Sequence, residues 1–410
     1  MTTLTPRTRG VLALAAVLTA APTAAVAAGP GTWTAQVVPS TAAVSQPRFL
    51  FDSGQVVGVD LAATQFTGQP WRWSAATGRR DLSLGGGTSA SIADAAEPAG
   101  VVGTTQRLDP TGTTLLQTAV RWVGQGAVPL LPGVTDPTSS AATNHAGDTV
   151  VYTSSPATGI TASLVPRTGA PEPLPLFAQL QSVVSMNDDR AMVVFSRGPG
   201  TIGPGSFSVL RDGQSFDLQL NGVRDFPSCV TSITESGYVA GSRYLFGTLN
   251  RESVIWRDGV RTLLPGAEGL DAVVACTRHG VNEAGHVVGT LTPTPPRPGE
   301  PVPVTVPRAV IWRDTVATVL ATDTATRTVR PVAVNDRDVV VATVDDPTGA
   351  SEPGPALFLP DGRRVDLPAP AGLSDVRALD VNECNVVLGT ATRTTRTGTR
   401  TVTVVWRPGR

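Results

Sequence analysis

The sequence predicts an all-β protein: a β-propeller of four-stranded antiparallel blades, closed by an N-terminal strand that completes the last blade. Three observations predict it. The composition is built for strands and turns, a motif recurs roughly every 45 residues, and each chain end lacks what the other supplies. The 410 residues suffice for a large core. Gly (42) and Pro (35) are abundant, and both punctuate turns. Val, Thr and Ala make up much of the rest, and a branched Cβ suits a pleated surface. With 41 % of residues hydrophobic, the mixture reads as strands and turns rather than disorder.

The repeating motif is plainest at 281–289 (VNEAGHVVG) and 381–389 (VNECNVVLG). Read forward, it recurs at 50–58 (LFDSGQVVG), degenerately at 97–103 (EPAGVVG), at 143–151 (TNHAGDTVV) and at 186–194 (MNDDRAMVV). It returns at 233–241 (ITESGYVAG) and 334–342 (VNDRDVVVA). The last residues of successive copies lie 45, 48, 43, 47, 48, 53 and 47 positions apart, a period that marks repeat architectures. Asn or Asp followed by Gly three residues later predicts an Asx-type turn with Gly in the left-handed position. Val-Val-Gly then predicts a buried strand, with Gly where another backbone approaches.

Two further landmarks complete each unit. A β-branched run ends in Trp and a turn, as in 254–259 (VIWRDG), 310–314 (VIWRD) and 404–409 (VVWRPG). In weaker copies, 208–213 (SVLRDG) and 357–362 (LFLPDG), Leu is expected in the place of Trp. Trp supplies a broad apolar surface to pack one unit on the next. A short fourth strand follows, such as 261–266 (RTLLPG). Four antiparallel strands per unit is the signature of a propeller blade. Eight units are counted, hence eight blades, or seven if the degenerate third and fourth units do not form separate ones. The last unit stops at Arg410 without a fourth strand, and 32–39 (TWTAQVVP) is a strand with no unit of its own. Pairing the two closes the ring and hides both edges.

The first residues read as a targeting segment. Arg7 and Arg9 precede an apolar run at 11–20, and Ala25-Val26-Ala27 is a small-x-small cleavage site. Residues 1–27 are therefore expected to be a cleaved signal peptide, and 28–410 a single secreted propeller domain with no membrane span. Charge is balanced, 32 basic against 33 acidic residues, and every basic residue is Arg. That balance argues against nucleic acid or an anionic membrane surface as partner.

The units resemble those of the extracellular His-Ala-Phe (HAF) repeat family, whose repeats read roughly I-N-x-x-G-x-V-V-G followed by H-A-F-L-W-x-x-G. The first half matches at 281–289 and 381–389. The second half departs: Arg308-Ala309-Val310, Glu252-Ser253-Val254 and Val402-Thr403-Val404 stand where the family has His-Ala-Phe, and only the closing Trp remains. The resemblance implies secretion and a propeller-like fold, and it carries no general activity.

No catalytic, cofactor-binding or metal-ligating set emerges. His145 and His286 fall in the Asn turns and His279 just before one, where they read as turn decoration. No Gly-x-Ser-x-Gly elbow is present. Asp52-Ser53-Gly54 has no second copy to build a carboxylate dyad. Asp188-Asp189, Asp336 with Asp338, and Asp345-Asp346 carry oxygen ligands but no calcium-loop spacing, so they too read as turn formers. Cys229 and Cys276 precede the Asn turns of adjacent units and could form a disulfide if those positions are neighbours. Cys384, in a turn, is expected to stay a free thiol.

The variable connections join the second and third strands of each unit, as at 290–308 and 104–118, and emerge on one face. Variable loops on a rigid scaffold commonly carry binding. The sequence therefore favours a secreted, non-enzymatic monomer with a binding or scaffold role at the cell envelope or on an extracellular polymer, its partner an extracellular polymer or protein, with no cofactor. An alternative is an extracellular polysaccharide hydrolase or lyase using the loop face, with Glu300, Asp345, Asp346 and Glu352 as carboxylates to inspect. A third reading is a surface protein that assembles into arrays.

Overall fold

Strand pairing follows the repeat. The computed structural model describes residues 32–61, 67–174, 181–196, 205–218, 229–245, 251–267, 269–294, 307–320, 327–345 and 353–409. The expected signal peptide, Glu300, Asp346 and Glu352 lie outside these, as does most of the 290–308 connection. Among the described residues there are 32 strands and no helix, so none is long and apolar enough to cross a membrane. Six separate four-stranded antiparallel sheets occur, and an eight-stranded sheet holds two further blades joined through one parallel bridge, Val44 to Thr401. The blades are numbered 1 (44–81), 2 (89–129), 3 (138–174), 4 (181–217), 5 (229–264), 6 (270–319), 7 (328–366) and 8 (373–408 with Trp33–Val37).

The N-terminal strand Trp33–Val37 pairs antiparallel with the final strand Gly398–Pro408, from Trp33 opposite Pro408 to Val37 opposite Val404. It takes the fourth place of blade 8. Apolar clusters lie at the interfaces between neighbouring blades. One of them joins Val386, Leu388 and Val405 of blade 8 to Leu50, Val56, Trp71 and Trp73 of blade 1. The ring is thus closed by a packed core as well as by a shared strand.

The Trp landmark packs as its size requires. Trp122, Trp312 and Trp406 are each 1 % exposed or less. Their indole N–H groups donate to Ser83 O, Pro265 O and Pro368 O of the preceding blade, at 2.7, 3.1 and 2.8 Å. A buried indole needs such an acceptor. The ring of Trp312 crosses Gly289, where a Cβ would lie 2.1 Å from Val273 O and 2.9 Å from the ring. This is why the strand reads Val-Val-Gly. In blade 7 the corresponding residue is Ala342, and the Trp place is held by the smaller Phe358, paired with Val340. The expectation of Leu at that place is thus corrected for blade 7: its turn is one residue longer, and Phe358 takes the position. In blade 4 Leu210 does stand there, opposite Met192.

The Asn turns end in the left-handed region, at Gly54, Gly147, Gly237 and Gly285 with φ of 73°, 92°, 81° and 79°. Arg190, Asp338 and Asn385 occupy the same conformation with φ of 60°, 59° and 59°. Polar Asp and Asn tolerate it better than most residues. Arg190 is held there by ion pairs to Asp148 at 2.8 Å and Glu172 at 3.3 Å.

Candidate functional site: the axial cavity and its acidic rim

The repeat Asn has two tasks that a single carboxamide can perform together. Its Oδ1 accepts a backbone N–H four residues on, closing its own turn: Val339 N to Asn335 at 3.0 Å, Val386 N to Asn382 at 2.8 Å. Its Nδ2 donates to the same position of the next blade: Asn144 to Asn187 O, Asn187 to Thr234 O, Asn282 to Asn335 O, Asn335 to Asn382 O, and Asn382 to Phe51 O, at 2.8 to 3.1 Å. Asp lacks the donor and Thr lacks the reach. Blade 5 has Thr234, which accepts from Tyr238 N at 3.0 Å within its own turn.

The next residue in each turn forms a second ring. Glu383 N donates to Asp52, Ser53 N to Glu97, Ala146 N to Asp188, and Asp188 N to Glu235. Glu235 N donates to Glu283, Glu283 N to Asp336, and Asp336 N to Glu383. Seven carboxylates from seven blades therefore surround the axis, each accepting a backbone N–H of the preceding blade at 2.7 to 3.2 Å. Charge-assisted bonds of this kind are stronger than neutral ones. Blade 3 breaks the ring: His145 stands in the acidic place and binds Glu235 through Nδ1 at 2.8 Å.

Inside the rim lies an axial cavity of about 700 Å³, to whose wall all eight blades contribute. Blade 6 sends a segment into it. After Val274 its inner strand is interrupted, with Ala275 N donating to Val288 O at 2.9 Å and Val288 N donating to Gly280 O at 3.0 Å. Residues 276–279 make an excursion between those two bonds. Cys276 is disulfide-bonded to Cys229 of blade 5, with Cα atoms 5.7 Å apart. The Thr277 hydroxyl donates to Val332 O of blade 7. Arg278 crosses the axis to Asp94 of blade 2 at 2.6 Å and to Ala95 O at 2.9 Å, with its guanidinium over Phe49. His279 meets Asp380 of blade 8 at 2.6 Å. One short segment thus ties five other blades together across the cavity.

Burial, and then the crowding of like charges, shifts the acids of the rim. Partial burial pushes the Asp336 carboxyl above its usual range, with Glu283 and Asp52 adding to the rise. Burial raises Glu383 likewise, with Asp336 and Asp52 contributing. The hydrogen bond to Glu235 raises His145 above its ordinary 6.5. Acids raised on folding cost nothing below their unfolded values and cost most above the raised ones, while a raised His stabilises below 6.5 and ceases to as pH climbs through its shifted value. All three make stability fall from weakly acid to mildly alkaline pH. Asp338 opposes this only at lower pH: burial alone would raise it, but His286 and Arg313 hold it below the usual range. The melting temperature should therefore be higher at about pH 5 than at about pH 8. Asp336→Asn keeps an acceptor for Glu283 N–H and should narrow that gap, by no more than about 2 °C for so solvated a group. Thermal melts of both proteins at the two pH values check this, and an unchanged or widened gap would count against it.

The residues singled out in the sequence are distributed as follows. Asp52, Asp188 and Asp336 belong to the acidic rim. Asp338 binds His286 and Arg313 between blades 6 and 7. Asp345 pairs with Arg330 at 2.8 Å, away from the rim. Cys384 is an exposed free thiol. Residues 104–118 form a hairpin between Gly100–Leu108 and Leu115–Val123, with Leu108 and Leu115 exposed near its tip. The rim and the segment 276–279 were not anticipated. The only sequence signal for the rim is that the residue after the repeat Asn is Asp or Glu in most copies.

No family model matches the chain, and no curated protein matches it. Solved structures do. The β-propeller domain of the Trilobed protease from Pyrococcus furiosus is 12 % identical with a TM-score of 0.43, over 79 % of this chain and 97 % of that one. TolB from Acinetobacter baumannii is 13 % identical with a TM-score of 0.31, over 79 % of each. Prolyl oligopeptidase B from Galerina marginata is 11 % identical with a TM-score of 0.47, over 93 % of this chain and 56 % of that one. The chain thus spans little more than half the length of that peptidase. At such identities the likeness concerns the fold alone.

Proposed function

We propose that this is a secreted, non-enzymatic propeller with a binding or scaffold role at the cell envelope or on an extracellular polymer. The observation that carries the reading is the rim. All of its carboxylates but Asp188 line a cavity of ligand-binding size, yet each is committed to a backbone N–H of the preceding blade. That use favours a rigid acceptor surface over a carboxylate pair poised for proton transfer. Export rests on Arg7, Arg9, the 11–20 run and Ala25-Val26-Ala27. Kinship with HAF repeat proteins is part of the same proposal and rests on the Asn-to-Gly half of the motif.

The test is sedimentation with insoluble envelope from the protein's own source at high salt. Retention in the pellet is the expected result, and full recovery in the supernatant would overturn the reading. The alternative, a polysaccharide hydrolase or lyase, draws support from the His279–Asp380 pair and the adjacent Arg278 inside the cavity. Release of reducing or unsaturated ends from envelope polysaccharide, lost in His279→Ala, would favour it instead.

A further inference from the structure

We propose a divalent transition-metal site at the mouth of the axial cavity, formed by His145, Asp188 and Glu235 from three successive blades. Blade 3 is where the acidic ring is interrupted, and the residue that interrupts it is an imidazole. Each of the three offers a ligand atom, and these atoms lie within 4.8 Å of one another. His145 Nδ1 is 2.8 Å from Glu235 Oε1 and 4.0 Å from Asp188 Oδ1. An ion about 2.0–2.2 Å from each ligand would set them roughly 3.0–3.5 Å apart. The observed separations bracket that value, so small side-chain rotations at a solvent-facing rim would complete the set.

The two carboxylates are already oriented. Asp188 accepts Ala146 N–H and Glu235 accepts Asp188 N–H through Oε2, which leaves Oε1 turned to the imidazole. Outer contacts of this kind normally support metal ligands. One imidazole with two carboxylates suits Zn²⁺, with Mn²⁺ weaker in the usual order. It does not suit Ca²⁺, which takes six to eight oxygens. His145 and Glu235 both line the cavity. An ion held there would border the cavity, where a carboxylate, hydroxyl or carbonyl of a bound molecule could reach it. The site stands whether or not the protein holds an envelope polymer.

The experiment is calorimetric titration of the chelator-treated, disulfide-bonded protein with Zn²⁺, and separately with Mn²⁺ and Ca²⁺. A single saturable Zn²⁺ site is expected, with Mn²⁺ weaker and Ca²⁺ weakest. His145→Ala and Asp188→Asn, the latter retaining an acceptor for Ala146 N–H, should each weaken Zn²⁺ by roughly tenfold or more. His286→Gln, which alters an imidazole outside the site, should leave Zn²⁺ affinity unchanged. The proposal is overturned by the absence of a saturable Zn²⁺ isotherm, by undiminished Zn²⁺ affinity in both site variants, or by Ca²⁺ binding as tightly as Zn²⁺. Two site variants at exposed positions guard against misfolding of either one.

Discussion

A chain beginning at Pro39 instead of Thr32 should fail to form a stable ring. The strand Trp33–Val37 supplies the ladder on the outer side of the final strand, which otherwise meets only the bridge from Val44 to Thr401 there among the described residues. Its loss removes that ladder together with the bonds Val38 N to Thr403 O and Gly409 N to Thr32 O. At about 1 kcal/mol net per hydrogen bond, roughly 5 kcal/mol is lost before any apolar contact is counted. That is comparable to the whole stability of many domains. Apolar contacts go as well: Trp33, Ala35 and Val37 pack on the core between blades 7 and 8, and Val38 lies in the core between blades 8 and 1. The bared edge is long and β-branched, reading TVTVVW at 401–406, a template for aggregation. The expected result is a large loss of soluble protein relative to a chain that starts at Thr32, and a melting transition lower by more than about 10 °C in what remains. Equal yield and equal melting would mean that the ring does not depend on this strand.

The second large effect is expected at Asn335. Its side chain is nearly inaccessible, 3 % exposed. It accepts from Arg337 N and Val339 N, and donates to Asn382 O and Asn385 Oδ1, at 2.9 to 3.1 Å. Asn335→Ala leaves these groups without partners at a blade interface, and a buried polar group so orphaned costs about 1–3 kcal/mol. Some are shared or reach water, so a total of about 2–4 kcal/mol is expected. Asn335→Thr copies what blade 5 uses at Thr234: the hydroxyl can still close the turn but cannot reach the next blade. It should cost about half as much. Chemical denaturation of the three proteins measures the division. Equal losses in both variants would mean that the turn bond is worth nothing and the link between blades everything.

Much of this architecture is legible in the sequence, for a physical reason. A blade cannot bury its own faces, so each copy must present the same contacts to its neighbours, and that requirement writes Asn, Gly and Trp at fixed offsets. Gly289 is needed because Trp312 and Val273 O leave no room for a Cβ. Asn282 is needed because its turn wants an acceptor and its neighbour a donor. Residues 32–39 could be matched to the last unit because edge strands must be paired. Where a turn is one residue longer, as after Phe358 in blade 7, the alignment slips by a residue and the packing has to correct it.

The axial region was not legible, because ring closure creates it. The residue after the repeat Asn is Asp, Glu or His, and alone each reads as a turn former. Only when the blades close does each acidic side chain meet the backbone of the copy before it. Arg278 and Asp94 lie 184 positions apart and meet across the axis; no spacing rule connects them. The excursion 276–279 is hidden because unit lengths vary more than its four residues. The sequence by itself determined the repeating blade, its strands and its closure, since those depend on local turn chemistry and nearest-neighbour packing. The tertiary structure alone decided what the axis contains, the acidic rim, the segment spanning it, and the meeting of His145 with Asp188 and Glu235. Those contacts join different blades, and the circular geometry that brings them together leaves no periodic mark in the chain.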